Sequence, residues 1–285
     1  MARRESVKIL KMKRLPAVGV LGYGEIGSAM ARIAQEAGYQ IYIRELDYDT
    51  LKGKQIDYLY INIPEKRNKE FIEIVALNIR EFSPKLTIIN SSITPGTTRK
   101  IFALTKSPIV HSPVIGLHPN LYTSIKKYFR KVVAPIDSKS RKLAEEHFRK
   151  LGLKVEFFTK PENSEASKLL DLIYFAWNIV FCKWVNQMCN DQGWDFSEVY
   201  KKQNEIYNQG YARLLPNSIR PILIPVPGPI TGHCTIPDTE LIHKLYPTSL
   251  TSYILKENKK YFSEVKDLQK QRQDYLKLRN KLMKK

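Results

Sequence analysis

The chain has 285 residues, is 43% apolar and 26% charged, and carries a formal net charge of +19. That balance is ordinary for a soluble globular protein of one large or two smaller domains. Three cysteines (Cys182, Cys189, Cys234) are too few for a disulfide framework, and no apolar run is long enough to span a bilayer. The basic N-terminus lacks the apolar core of a secretory signal, so a cytoplasmic protein is expected.

The charge is uneven. Residues 1–14 contribute six Lys/Arg against one Glu, and residues 256–285 eleven against four acids, which places twelve of the nineteen net charges at the two ends. Such ends attract anions, and a basic tail leaves nucleic acid open as a partner, although a solvated surface is the commoner outcome.

Leu15–Leu21 is a short apolar run, followed by Gly22-Tyr23-Gly24-Glu25-Ile26-Gly27 and an apolar-periodic stretch from Ser28 to Ala37. Strand, glycine turn and helix in this order form a dinucleotide-binding fingerprint. Gly22 allows the tight turn, Gly24 the close approach of a pyrophosphate, and Gly27 close helix–strand packing, while the helix N-terminus offers N–H groups to the phosphates. Residues 39–45 read as the second strand. Glu45 at its tip, twenty-one residues after Gly24, suits the ribose hydroxyls of NAD, and Arg44 beside it leaves NADP open.

Strands are expected at 57–63, 86–90, 109–110, 131–134 and 154–158, with helices at 69–82 and 140–151. The alternation predicts a Rossmann-type, doubly wound, mostly parallel sheet. The loops at 22–27, 62–66, 90–98 and 111–120 then share its carboxyl edge, so Ile63, Pro64, Ser91 and Ser92 join the cofactor-binding candidates.

From residue 161 the texture becomes helical. A long apolar helix over 162–191 presents large side chains around most of its girth, which predicts burial on several sides or a subunit interface. Cys182 and Cys189 on it read as core thiols. A second helix follows at 196–215, and short helices are expected over 239–254. A basic amphipathic helix carries Tyr261, Val265, Leu268, Tyr275 and Leu282. The domain boundaries expected are 1–160 for the dinucleotide-binding domain, 161–240 for a helical substrate and dimerisation domain, and 241–285 for a basic tail.

The stretch 225–238 carries four prolines and two glycines, which predicts a stiff loop holding His233, Cys234 and Asp238. No residue spacing in the chain calls for a metal.

Three motifs together resemble the UDP-glucose/GDP-mannose (nucleotide-sugar) dehydrogenases, within the wider 6-phosphogluconate-dehydrogenase-like group. Ser91-Ser-Ile-Thr-Pro-Gly-Thr-Thr98 is similar to that family's turn beside the nicotinamide. Glu165-Ala-Ser-Lys168 is similar to its Glu-x-x-Lys. Cys234 and Asp238 keep the spacing of its cysteine and aspartate. The resemblance implies NAD-dependent oxidation of a sugar alcohol, with Cys234 as nucleophile and Lys168 stabilising the oxyanion. Asp238 would handle a proton or water, and His233 would lend positive charge. A sugar or nucleotide-sugar substrate and a homodimer through the 162–191 helix are implied as well.

The chain also departs from the pattern. Leu172 stands where the family has asparagine, and 112–120 contains no acid for thioester hydrolysis, with His118 and His111 as the available substitutes. Only about forty-five residues follow 240, so the family's nucleotide-sugar-binding domain has no counterpart. Two other readings remain: a two-electron dehydrogenase or reductase using Lys168 without covalent capture, and a non-catalytic NAD-binding scaffold with a partner-binding tail.

Overall fold

A computed structural model describes residues 14–230 and 234–263. The chain forms two compact units, Met1–Ala166 and Ser167–Lys285.

The first unit is built on a seven-stranded sheet of order β2-β1-β3-β4-β5-β6-β7. The strands are β1 (Ala17–Leu21), β2 (Gln40–Arg44), β3 (Tyr58–Ile61), β4 (Leu86–Ile89), β5 (Ile109–His111), β6 (Lys131–Pro135) and β7 (Val155–Phe157). Every residue of β1, β3 and β4 is buried, as expected of strands covered on both faces. Alternate residues divide between two cores. Val18, Val20, Tyr60 and Ile88 pack with Met30 and Ile33 of α1 (Glu25–Glu36) and Phe148 of α5 (Ser138–Lys150). Leu59, Ile61 and Ile89 pack with Val75 and Ile79 of α2 (Asn68–Phe82) and Ile101 of α3 (Thr97–Thr105). The mostly parallel, doubly wound sheet is thus as the alternation predicts.

Three details differ from the sequence reading. The fingerprint helix begins at Glu25, not Ser28. The hydroxyl-rich turn at 91–98 runs into α3, a helix that threonines and a glycine at its start concealed. Strand β6 pairs antiparallel with β5, which carries its first residue, Lys131, to the carboxyl edge of β1–β5, and β7 runs parallel to β6. Between them, α4 (Leu121–Thr123) continues as a π turn over Ser124–Tyr128.

Helix α6 (Pro161–Gln192) carries the chain into the second unit. There Leu169, Ile173, Ala176 and Val180 pack with Ile230, Ile242 and Ile254, and Cys182, Val185 and Cys189 pack with Tyr200. Cys182 and Cys189 are buried thiols, and burial pushes Cys182 up to about 11. A π turn (Ser197–Lys202) leads into α7 (Gln203–Leu214), followed by α8 (Thr235–Leu245) and α9 (Ser249–Ser263).

Here the expectation of a continuous loop to Asp238 is corrected. Helix α8 starts immediately after Cys234, because Pro237 falls in its first turn, where a missing N–H costs nothing. The short helices expected over 239–254 are the rest of α8 and the start of α9, and the basic helix expected beyond Ser263 lies outside the described residues. Among the described residues, no helix is long and apolar enough to cross a membrane, and no group of three or more His, Cys, Asp or Glu side chains could hold a metal ion.

Candidate functional site

The β1–α1 turn shows why each glycine is there. Gly22 has φ +89°, and a Cβ there would stand 2.9 Å from the Asn62 carbonyl carbon. A Cβ at Gly27 would fall 2.0 Å from the Gly22 oxygen, so α1 reaches the strand only because residue 27 has no side chain. Gly24 is the N-cap of α1 and nothing lies within 4 Å of a Cβ built on it. The backbone at the helix N-terminus is therefore open to a close-approaching phosphate, which is the fit a dinucleotide requires. Ile26 is half-buried against the core, and Tyr23 and Glu25 are exposed.

Glu45 lies just beyond β2, and its carboxylate accepts the Tyr23 backbone N–H, which holds the acid over the glycine turn. Arg44 points elsewhere. Its guanidinium pairs with Glu81 at 2.7 Å and Asp49 at 2.9 Å, donates to Asn78 at 2.8 Å and stacks on Phe82. The Glu81 carboxylate holds the guanidinium pKa above its ordinary value.

The turn at 91–98 is held from three sides. Ser91 donates its hydroxyl to the Ile63 carbonyl at 2.6 Å, tying the turn to the segment of Ile63 and the exposed Pro64. Glu65 accepts from the Thr94 N–H at 3.0 Å and the Thr94 hydroxyl at 2.5 Å. Glu165, fully buried at the start of α6, accepts from the N–H groups of Gly96 (2.5 Å) and Thr98 (2.9 Å), capping α3. Burial raises the Glu165 pKa, while these donors oppose the rise. Ser92 is half-buried.

His111 is committed to this scaffold. Its Nε2 lies 3.0 Å from the Ser91 carbonyl, which can only accept, so Nε2 carries the proton and Nδ1 accepts from the Ser164 hydroxyl at 2.9 Å. His118 instead contacts the Glu25 carboxylate, so the fold brings an acid to a segment that has none of its own.

In the second unit, Cys234 is half-buried at the N-cap of α8, and Asp238, buried one turn on, donates its N–H to the Cys234 carbonyl at 2.9 Å. The four-residue spacing is thus an i, i+4 relation on one helix. A helix N-terminus is a setting that stabilises thiolates. The loop before it is pinned by two residues that the sequence reading did not single out. Lys183, buried on α6, donates to the Gly228 carbonyl, and Asn258 of α9 accepts the Ile230 N–H at 2.6 Å. Lys168 is half-buried on α6, with half-buried Leu172 one turn along. His233 lies outside the described residues.

Glu65, Lys183 and Asn258 were hard to find because each acts on a backbone group far along the chain, and Glu165, visible in the Glu165–Lys168 motif, gave no sign there of its role as the α3 cap. A charged residue in an otherwise apolar stretch, as at Lys183, is the one sequence signal that marked any of the other three.

The chain matches no protein-family model and no curated protein sequence. It is similar to solved structures. UDP-D-ManNAc dehydrogenase from Pyrococcus horikoshii aligns with TM-score 0.71 at 19% identity, over 86% of this chain and 68% of that one. UDP-glucose dehydrogenase from the hyperthermophilic archaeon Pyrobaculum islandicum gives 0.66 at 15%, over 88% and 69%. The 3-hydroxyisobutyrate dehydrogenase of Mycobacterium tuberculosis gives 0.65 at 12%, over 88% and 94%. At these identities the likeness establishes the fold. That fold is shared with nucleotide-sugar dehydrogenases, of whose length the chain spans about two thirds.

Proposed function

We propose that the protein is an NAD-dependent dehydrogenase of the nucleotide-sugar type, oxidising the alcohol of a sugar or nucleotide-sugar in a reducing, cytoplasmic setting. The observation that carries the reading is the glycine turn, whose three glycines each have a steric or ligand-facing reason, with Glu45 held over it. Gly22, Tyr23, Gly24, Glu25, Ile26 and Gly27 form the phosphate turn, Glu45 takes the ribose, and Ile63, Pro64, Ser91 and Ser92 complete the cofactor's surroundings. NAD is favoured over NADP because Arg44 is spent on Glu81, Asp49 and Asn78.

Bound NAD would supply the hydride acceptor for the alcohol carbon, and a second NAD would accept the second hydride that converts the Cys234 adduct of the resulting carbonyl into a thioester. Cys234 then serves as nucleophile toward the carbonyl, its thiolate favoured by the α8 N-terminus, and Asp238 one turn away handles a proton or water. Lys168 contributes positive charge to the developing oxyanion, and His233 adds to it. With both ring nitrogens of His111 occupied, His118, oriented by Glu25, is the candidate base for hydrolysing the thioester. Residues 1–160 bind the cofactor and carry His118, 161–240 supply the other chemical groups, and 241–285 are the basic tail.

A homodimer belongs to this reading. Leu170, Tyr174, Trp177, Phe181 and Trp184, spaced by four and three along α6, are each between 38% and 60% exposed. That heptad stripe of large apolar side chains on a 32-residue helix is suited to a second copy. Sedimentation should show a dimer that Trp184→Glu dissociates, and a wild-type monomer at micromolar concentration would sink this part.

One observation favours a second reading. The chain covers 94% of the 3-hydroxyisobutyrate dehydrogenase, so a two-electron dehydrogenase relying on Lys168 fits its length. Substrates are first sought by thermal shift with NAD, NADP and nucleotide sugars. With a substrate in hand, Cys234→Ala should abolish acid formation under the first reading, at a loss on the order of a thousandfold or more. Under the second reading it should leave turnover intact.

A further inference from the structure

A polar line, buried at Lys131 and Asn90 and half-buried at Asn62, crosses the ligand edge of the first unit, and none of these three side chains carries a role in the reading above. Lys131 opens β6, is 3% exposed, and reaches the edge because β6 runs against β5. Its Nζ donates to the Ser112 carbonyl, to the Pro113 carbonyl at 2.9 Å and to Asn90 Oδ1 at 3.1 Å. Asn90, just past β4 and 1% exposed, donates its Nδ2 to Asn62 Oδ1 at 2.9 Å. Asn62, just past β3, donates its own Nδ2 to the Gly22 carbonyl at 3.2 Å.

The direction of this line follows from its first member. An ammonium has donors only, so Asn90 must turn its oxygen toward Lys131 and its amino group toward Asn62. Asn62 must in turn present its oxygen to Asn90 and its amino group to Gly22. Reversing either amide would set donor against donor, or acceptor against acceptor, in a buried place where an unmet polar group is costly. A buried lysine also needs such a purpose, since taking its charge out of water is unfavourable unless strong acceptors surround it.

We propose that Lys131 is a positioning residue for the dinucleotide turn, acting through Asn90 and Asn62 on the Gly22 carbonyl, while the same ammonium fixes the 112–113 backbone. One cation thereby holds both the glycine turn and the segment after β5 in register with the sheet edge. The proposal rests on the reading that the glycine turn binds NAD.

Asn90→Asp separates binding from stability. The carboxylate still accepts from Lys131 but cannot donate to Asn62, whose amide is then free to reverse. Asn90→Asp should keep its ligand-free melting temperature within a few degrees of wild type while its affinity for NAD, measured by calorimetry well below that temperature, falls on the order of tenfold. Lys131→Met should show the same loss of affinity if it folds, together with a lower melting temperature. A purely structural role would move the melting temperature and leave NAD affinity unchanged in whatever folds.

Wild-type NAD affinity in Asn90→Asp overturns the proposal, whatever Lys131→Met does. A wild-type protein that binds no dinucleotide overturns the functional reading, and this proposal with it. The two failures are therefore distinct.

Discussion

Two loops rich in glycine or proline are fixed in different ways. In the first unit, Gly22–Gly27 is set by close approach: Gly22 against Asn62, and Gly27 against Gly22 itself. In the second, the loop of 225–230 is set by hydrogen bonds with residues far along the chain: Lys183 donates to the Gly228 carbonyl and Asn258 accepts the Ile230 N–H. The first arrangement is steric: a side chain added at Gly27 meets the backbone of Gly22 in the same turn, and one added at Gly22 meets the backbone of Asn62 at the neighbouring strand's end. The second is assembled only when α6 and α9 have packed. Steric determination by neighbours leaves a readable pattern of glycines, whereas determination by distant polar anchors leaves only a stray charged or amide residue in a helix.

The sharpest break of this comparison is Gly27→Ala. Its Cβ would lie 2.0 Å from the Gly22 oxygen, a backbone atom that cannot swing aside. A loss of about 3 kcal/mol in unfolding free energy is expected, together with loss of the NAD-induced rise in melting temperature. Full stability and binding would mean that helix–strand closeness is not what the glycine secures.

The first unit has long-range polar burial of its own, and pH reads it. His147 sits between the Tyr39 hydroxyl at 3.1 Å and the Tyr60 hydroxyl at 2.6 Å, stacked on Tyr58. Burial first, with Lys150 nearby, lowers its pKa from 6.5 to about 3. The sign follows directly. Above the unfolded value the ring is neutral in both states and costs nothing. As pH falls below it, the unfolded chain takes up a proton that the folded one refuses, so stability is lost progressively down to the folded value. At pH 5 this amounts to about 2 kcal/mol relative to pH 7. Urea melts should therefore show a steeper decline from pH 6.5 to 5 in wild type than in His147→Gln, and equal slopes would remove the buried ring as the cause.

How much was readable follows from the same contrast. The sheet, the glycine turn and the Glu45 tip were legible because apolar runs and glycines report their own neighbourhood. Helix α3 was not, since its cap is a glutamate at 165 reaching Gly96 and Thr98. The start of α8 at Thr235 was masked by Pro237, which reads as a breaker until its place in the first turn is known. The i, i+4 relation of Cys234 and Asp238 was visible as a spacing before its helical meaning was. Arg44 gains its meaning only in the structure, because its position beside Glu45 left a phosphate contact open and did not reveal its pairing with Glu81, Asp49 and Asn78.

Glu165→Gln probes the cap at a smaller scale. A glutamine offers one acceptor where the carboxylate offers two, so one N–H of Gly96 or Thr98 loses its partner. The expected loss is about 1–2 kcal/mol, read by chemical melts. An unchanged stability would show that the α3 N-terminus does not depend on this buried acid.

The smallest effect concerns cofactor choice, where the expected result is close to none. Arg44 binds Glu81, Asp49 and Asn78, and its side chain is 20% exposed. If it is a structural clasp between the β2 tip and α2, Arg44→Ala should cost some stability and leave the ratio of NAD to NADP affinity within about twofold of wild type. A phosphate-binding arginine would behave otherwise, since its removal would weaken NADP selectively. Glu45 supplies the opposing control: its carboxylate is held over the glycine turn, where a 2′-phosphate would meet like charge. Glu45→Gln should therefore shift the ratio toward NADP while Arg44→Ala does not, and the reverse pattern would reassign the discriminating residue from the acid to the arginine.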